Sequence, residues 1–252
     1  MWAKKILKGI AVAAFWLGIW WLIAALVRQQ LLIPTPLAVV QALWSLVKTV
    51  AFWKTVALSL VRICAGFAAA LVTGVALAVL TTRFATVHAL LSPLLHIVRA
   101  APVASFIILT LVWIDYDLIP AFIAFLMVLP IVWVNVEEGI RRTPKALLEM
   151  ASLFRVRPLR VLTRIYLPAV KPFFLTACVN GLGFAWKSGV AAEVICHPDW
   201  AIGSRLQDAK IYFETPEVFA WTAVVIALSM LLEKALLRAT ASGRKEVPYA
   251  DT

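Results

Sequence analysis

The 252 residues are 63% hydrophobic and 15% charged, with a formal net charge of +11. That is too apolar for an ordinary soluble domain and typical of a chain that crosses a membrane several times. The basic residues sit between long apolar runs, with no charge-rich helix carrying interleaved aromatics, so they read as membrane topology and exclude a nucleic-acid binder.

A helix needs about 20 apolar residues to cross the hydrocarbon layer. Lys4, Lys5 and Lys8 precede a first run of that length, Ile6 to Val27. Trp16, Trp20 and Trp21 crowd its later half, as aromatics do near an interface. It is too long for a signal-peptide core and is expected to be a retained span. Pro34 and Pro36 open the next segment. Pro36 to Val50 is expected to be an amphipathic helix lying on the outer surface.

A second span is expected over about Thr55 to Leu80. Gly66, Ala70, Gly74 and Ala78 recur in it every four residues and form a face that lets another helix approach closely. Arg62, near its start, can snorkel to the interface. Arg83 marks an inner turn. Pro93 and Pro102 interrupt the segment His88 to Ile114. Leu90 to Arg99 is expected at the cytoplasmic boundary, and a third span over about Ala101 to Ile114, or one that begins earlier and is kinked. Asp115 and Asp117 make an outer turn. The fourth span, Ile119 to Val136, should bend at Pro130.

The polar stretch Glu137 to Lys171, EEGIRRTPKALLEMASLFRVRPLRVLTRIYLPAVK, stands apart. It carries eight basic residues: Arg141, Arg142, Lys145, Arg155, Arg157, Arg160, Arg164 and Lys171. Between membrane-length segments this is a large cytoplasmic loop. Thr143-Pro144 is a helix start, with Thr as cap and Pro at the first helical position. Leu147, Met150, Ala151 and Phe154 then line one side of a short amphipathic helix. Pro158 begins a second helical stretch, and Pro168 opens the fifth span, to about Val190. Lys187 and Glu193 lie near its end. The polar segment His197 to Lys210 is expected outside. A final span, about Pro216 to Leu236, precedes Arg238, Arg244 and Lys245.

The expected fold is an all-α membrane protein with about six spans and both termini cytoplasmic. An N-terminal span and interfacial helix occupy 1–58, a transmembrane domain 59–240 and a tail 241–252. Charge supports that orientation: the inner segments hold 16 Lys or Arg and the outer ones 6, with Arg62 and Arg99 at the boundaries. Cys64, Cys178 and Cys196 have neither disulfide nor zinc spacing. His88, His96 and His197 are scattered, so no metal site is expected. No phosphate-cradling glycine loop occurs, and no catalytic group is suggested by spacing. Catalysis by this chain is not expected.

Glu149-Met150-Ala151, followed by Ile165-Tyr166-Leu167-Pro168, resembles the EAA loop of the membrane subunits of ABC importers, the binding-protein-dependent transport permeases. The acid-to-proline spacing fits. Met150 replaces a small residue, and Arg155 stands where the family places glycine. SLVRICAGFAAALVTGVALA resembles the family's second-helix signature, and WKSGVAAEVI, AIGSRL and TPEVFAWTAVVIAL resemble the end of its nitrate/sulfonate/taurine branch. The likeness runs from about Ser59 to Phe219.

The resemblance implies a permease subunit in a prokaryotic cell (inner) membrane. It implies a second, identical copy, two cytoplasmic ATPases that bind the ATP and Mg, and an extracytoplasmic solute-binding protein. The chain itself would need no cofactor. Leu147, Met150, Ala151 and Phe154 would enter a cleft of the ATPase, with Glu149 and arginines such as Arg155 fixing register. Against this stands a loop that only touches anionic lipid headgroups. Lys187 and Glu193 carry two readings: a solute pathway, with Trp186 and Ser188 helping Lys187 attract an anion, or solvated residues at the outer interface. Arg99 is a further pathway candidate. The branch serves sulfonates, nitrate and vitamin precursors. Two other classes compete: a secondary transporter driven by an ion gradient, which would show coupling-ion carboxylates or broken helices at mid-membrane, often with repeated halves, and a non-transporting scaffold.

Overall fold

The computed structural model describes residues 2–29 and 31–241, with backbone alone for 2–10, 13 and 241. The expected tail and the side chains of Lys4, Lys5 and Lys8 lie outside the described residues. Those residues form helices α1 (Trp2–Val27), α2 (Pro36–Val47), α3 (Val50–Arg83), α4 (Ala85–Ala100), α5 (Val103–Thr110) and α6 (Ile119–Arg141). Then come α7 (Lys145–Leu153), α8 (Pro158–Val161), a π-helical turn (Leu162–Tyr166), α9 (Leu167–Cys196), α10 (Ile202–Ile211) and α11 (Thr215–Ala241). There is no strand among the described residues.

Among the described residues, four stretches are long and apolar enough to cross a membrane: Val50–Arg83, Ile119–Arg141, Pro158–Cys196 and Thr215–Thr240. The architecture is that of an all-α, multi-pass membrane protein. At the expected third span the structure has the kinked alternative, with the apolar helix beginning earlier. α4 and α5 meet at a bend of 104° and make a fifth span only if the broken pair is counted together. The break falls at Ala101-Pro102, where proline has no N–H and drives the preceding residue out of the helical region. α5 alone, with 8 residues, covers only about 12 Å. α1 is 26 residues long, and its described segment Ala14–Val27 is apolar.

Other boundaries also moved. The second span begins at Val50, not Thr55, because Thr49 caps it by accepting from the Phe52 N–H at 3.2 Å. α2 is capped in the same way by Thr35 with Pro36 in its first turn, and its 12 residues are too short to span. The expected outer loop His197 to Lys210 contains helix α10, whose Ile202, Gly203, Ser204 and Ala209 are buried.

α6 is the centre of the packing. It is flanked by α3 and α9, and its Val128, Val132 and Trp133 join Phe67 and Ala70 of α3 and Ala177 and Ala185 of α9 in one core. Gly66, Ala70, Gly74 and Ala78 are all buried. The closest approach is at Gly66, where an added Cβ would run into the Ala121 carbonyl of α6. Two backbones in that contact leave no side chain that could move aside.

Gly66→Ala should therefore destabilise the α3–α6 pair by about 1–3 kcal/mol or more, the range for overpacking. Gly183→Ala, on α9 with nothing within 4 Å of the new methyl, should be neutral. Thermal unfolding of the two variants in detergent, read side by side, checks the contrast.

Candidate functional site

The polar loop begins where α6 ends. The capping bond expected from Thr143 is not made. Its side chain is buried and donates to the Gly139 carbonyl at 3.3 Å, so Thr143 finishes α6, and Pro144 takes the cap position of α7. α7 stops in a two-bond Schellman closure: the Arg155 N–H donates to Ser152 O at 3.0 Å and the Val156 N–H to Ala151 O at 2.9 Å. That closure needs a left-handed residue, and Arg155 supplies it with φ 46°. Arg155, where the resemblance leads one to expect glycine, keeps the bend.

Beyond the bend, α8, the π turn and α9 run on as one 39-residue helix, Pro158–Cys196. Its length is about 58 Å. The wide turn sits just before Pro168, where the ladder lacks an N–H. The second half of the loop is thus a direct extension of a span.

α7 presents Leu147, Met150, Leu153 and Phe154 outward, the last at 73% exposure. A cluster of large apolar side chains on an otherwise charged loop marks a surface for another protein. Ala151 leaves that stripe. It is 4% exposed and turned with Leu148, Val156 and Pro158 into a groove of about 430 Å³ between α7 and the long helix. Glu149 and Arg155 are exposed.

At the base of the loop, Glu137 is 8% exposed. Its Oε1 accepts from Arg141 Nε at 3.0 Å and Nη2 at 2.7 Å, and lies 3.3 Å from His88 Nδ1 of α4. Its Oε2 lies 3.5 Å from the Thr81 hydroxyl of α3, which donates to the Leu77 carbonyl at 2.8 Å and accepts from Trp133 Nε1 at 2.9 Å. One carboxylate joins α3, α4 and α6 at the point where the loop leaves the bundle.

The four residues read as a pathway cluster on α9 diverge. Trp186 is buried against α11, its indole donating to the Val225 carbonyl at 3.0 Å. Ser188 is buried and donates to the Phe184 carbonyl at 2.8 Å. Lys187 is exposed. Consecutive helical residues point about 100° apart, so neither neighbour can assist Lys187. Glu193 is neither solvated nor beside Lys187: it is fully buried, and its Oε2 accepts from the Gly203 N–H at 3.1 Å. Ser59 of α3 accepts from the Ile202 N–H at 2.9 Å. Together they satisfy the first amides of α10, which would otherwise be orphaned in the interior. Gly203 permits this contact, because a Cβ there would collide with Glu193. Arg62 ties the same end together, paired with Asp117 and donating to the Asp199 carbonyl at 2.9 Å. Arg99 is exposed near the end of α4, away from this cluster.

Residues 70–239 match the family described as binding-protein-dependent transport system inner membrane component. The chain belongs to that family. It is 26% identical over 241 residues to the taurine transport system permease protein TauC of Escherichia coli, covering 93% of this chain and 87% of that protein. A probable ABC transporter permease protein of Haemophilus influenzae is 26% identical over 230 residues, 90% and 93% of the two chains. The bicarbonate transport system permease protein CmpB of Synechococcus elongatus is 27% identical over 186 residues, 73% and 66%. The protein is an ABC importer permease of this branch, a membrane subunit and not an enzyme.

Several residues of this permease escaped the sequence reading. Glu137 was counted as the first residue of the loop. Its i, i+4 spacing to Arg141 signals a helical pair, but nothing in the chain announces His88 or Thr81 as partners. The capping of α10 by Ser59 joins positions 143 apart.

A non-glycine residue in the left-handed region costs about 1–2 kcal/mol. Arg155→Gly should raise the stability of the α7 end by about 1 kcal/mol, and Arg155→Val should lower it by a similar amount. Hydrogen exchange of the Val156 amide in the purified permease reads both.

Proposed function

We propose that this permease forms the gated solute pathway of an ATP-driven importer, working as a pair of identical copies. α7 docks into a cytoplasmic ATPase subunit, which binds the ATP and Mg. Leu147, Met150 and Phe154 enter its cleft, Ala151 lets the loop pack closely behind them, and Glu149 and Arg155 set the register. The observation that carries this reading is the join between an exposed apolar helix and a single 39-residue helix that continues through the membrane. When the ATPases close, α7 moves. The stiff closure at Arg155 and the unbroken α8–α9 rod carry that displacement into the bundle, rocking it between inward and outward access. Glu137 holds the inner ends of α3, α4 and α6 together as they move.

The orientation that fits is loop and both termini in the cytoplasm, supported by the excess of Lys and Arg on that side. The opposite end, with α10 and the turn at Asp117, faces an extracytoplasmic solute-binding protein. The cargo is a small anion such as a sulfonate or nitrate, or else a vitamin precursor. The names of two relatives support an acidic cargo, since taurine carries a sulfonate and bicarbonate is an anion. Membership of an ABC importer family disfavours a carrier driven by an ion gradient.

Affinity-tagged permease should bring down an ATPase from its own cells. Phe154→Asp or Leu147→Asp buries a charge in the proposed cleft and should weaken that association at least tenfold. Arg28→Ala, near the end of α1, should leave it unchanged. If Phe154→Asp and Leu147→Asp retain the ATPase at the level of the unaltered chain, α7 is not the docking element.

A further inference from the structure

We infer that one face of α9 is the wall of the solute pathway, with Asn180 and Lys187 as two successive stations for a small anion. This rests on the pathway reading above and adds to it the helix face and the residues that would meet the anion.

From Thr176 to Cys196 the exposed residues of α9 form a single stripe: Thr176, Asn180, Phe184, Lys187, Ala191 and Ile195. The other residues of these turns are buried or half-buried, and the helix packs against α6, α3, α5 and α11. Within the stripe the polar residues fall at one edge. Lys187 follows Asn180 by seven positions and Thr176 by eleven, so all three point within about 40° of one another. This edge is polar although the helix belongs to a membrane span.

Depth decides what the edge can face. Asn180 lies 13 residues from Leu167 and 16 from Cys196, near the middle of the helix and about 20 Å from either end. Lys187 is six residues, about 9 Å, deeper than Glu193, which caps α10 at the outer end. An ammonium and an amide at such depth do not face lipid. They face water or a polar partner. No carboxylate pairs with Lys187 among the described residues. The Thr176 hydroxyl is already spent on the Pro172 carbonyl at 3.0 Å. The donors left on the stripe are the Lys187 ammonium and the Asn180 amide, which together suit an oxyanion. They are separated by about 10 Å along the axis, too far for one small ion. Lys187 therefore receives the anion near the outer mouth, and Asn180 offers an uncharged contact deeper in, from which it can leave.

Charged thiol reagents test this without knowledge of the cargo. Asn180→Cys permease, assembled with its ATPase in proteoliposomes, is treated with 2-sulfonatoethyl or 2-trimethylammonioethyl methanethiosulfonate. The unaltered chain supplies the baseline from its three native thiols. The expected result is modification at position 180, at least fivefold faster with the anionic reagent. Lys187→Met in the same chain should abolish that preference, and Lys187→Arg should keep it. Leu231→Cys, on the exposed apolar face of α11, should react with neither. Failure of both reagents at position 180 would place the stripe against lipid or another protein and overturn the proposal. A preference unchanged by Lys187→Met would overturn the role of that residue. Loss of ATPase association, read separately by co-purification, would count against the docking of α7 and not against the stripe.

Discussion

At Gly66 the backbone of α3 touches the backbone of α6, and every other placement in the bundle follows from that contact. Small side chains at Ala70, Gly74 and Ala78 continue the seam along α3. In a membrane the lipid tails are as apolar as the side chains, so association between helices comes from close packing and not from escape from water. α9 packs against α6 through Ala177, Gly181 and Ala185, all buried, and meets α3 directly where Gly189 lies over Ile63. The result is a three-helix slab, with α11, α10 and the bent α4–α5 pair added at its edges.

Polar groups close the slab at its two ends. At the loop end, Glu137 gathers Arg141, Thr81 and His88 from three helices. At the other end, Glu193 and Ser59 complete the first turn of α10, while Arg62 holds the turns at Asp117 and Asp199. Buried polar atoms are costly unless paired. Each cluster therefore fixes how its helices terminate and leaves the apolar middle free of such constraints. In the proposed mechanism this division is useful: the ends act as joints, and the long helix from Pro158 to Cys196 transmits displacement between them.

Arg155 shows how far a residue pattern can depart while the backbone holds. No glycine stands at this left-handed position, yet both Schellman bonds form and φ is 46°. The hydrogen-bonded closure of α7 outweighs the strain of a side chain in the left-handed region. α9 teaches the opposite lesson. Trp186, Lys187 and Ser188 are adjacent in the chain and look like one cluster, but the helix sends them in three directions. The residues that share the direction of Lys187 lie one, two and three turns away.

Composition and the placement of apolar runs were enough to establish an all-α membrane protein, because lipid demands long uninterrupted apolar helices. The spacing from Glu149 to Pro168 was enough to expose the family, and the four-residue rhythm of Gly66 to Ala78 named the packed face of α3. Those are local or periodic signals, and a linear chain displays them. The bend of 104° between α4 and α5, the helical nature of α10, the burial of Glu193 and the partners of Glu137 were decided only by the tertiary structure. Each depends on groups far apart in the chain meeting in a medium without water, where a carboxylate or a free amide must find whichever partner the packing brings within reach.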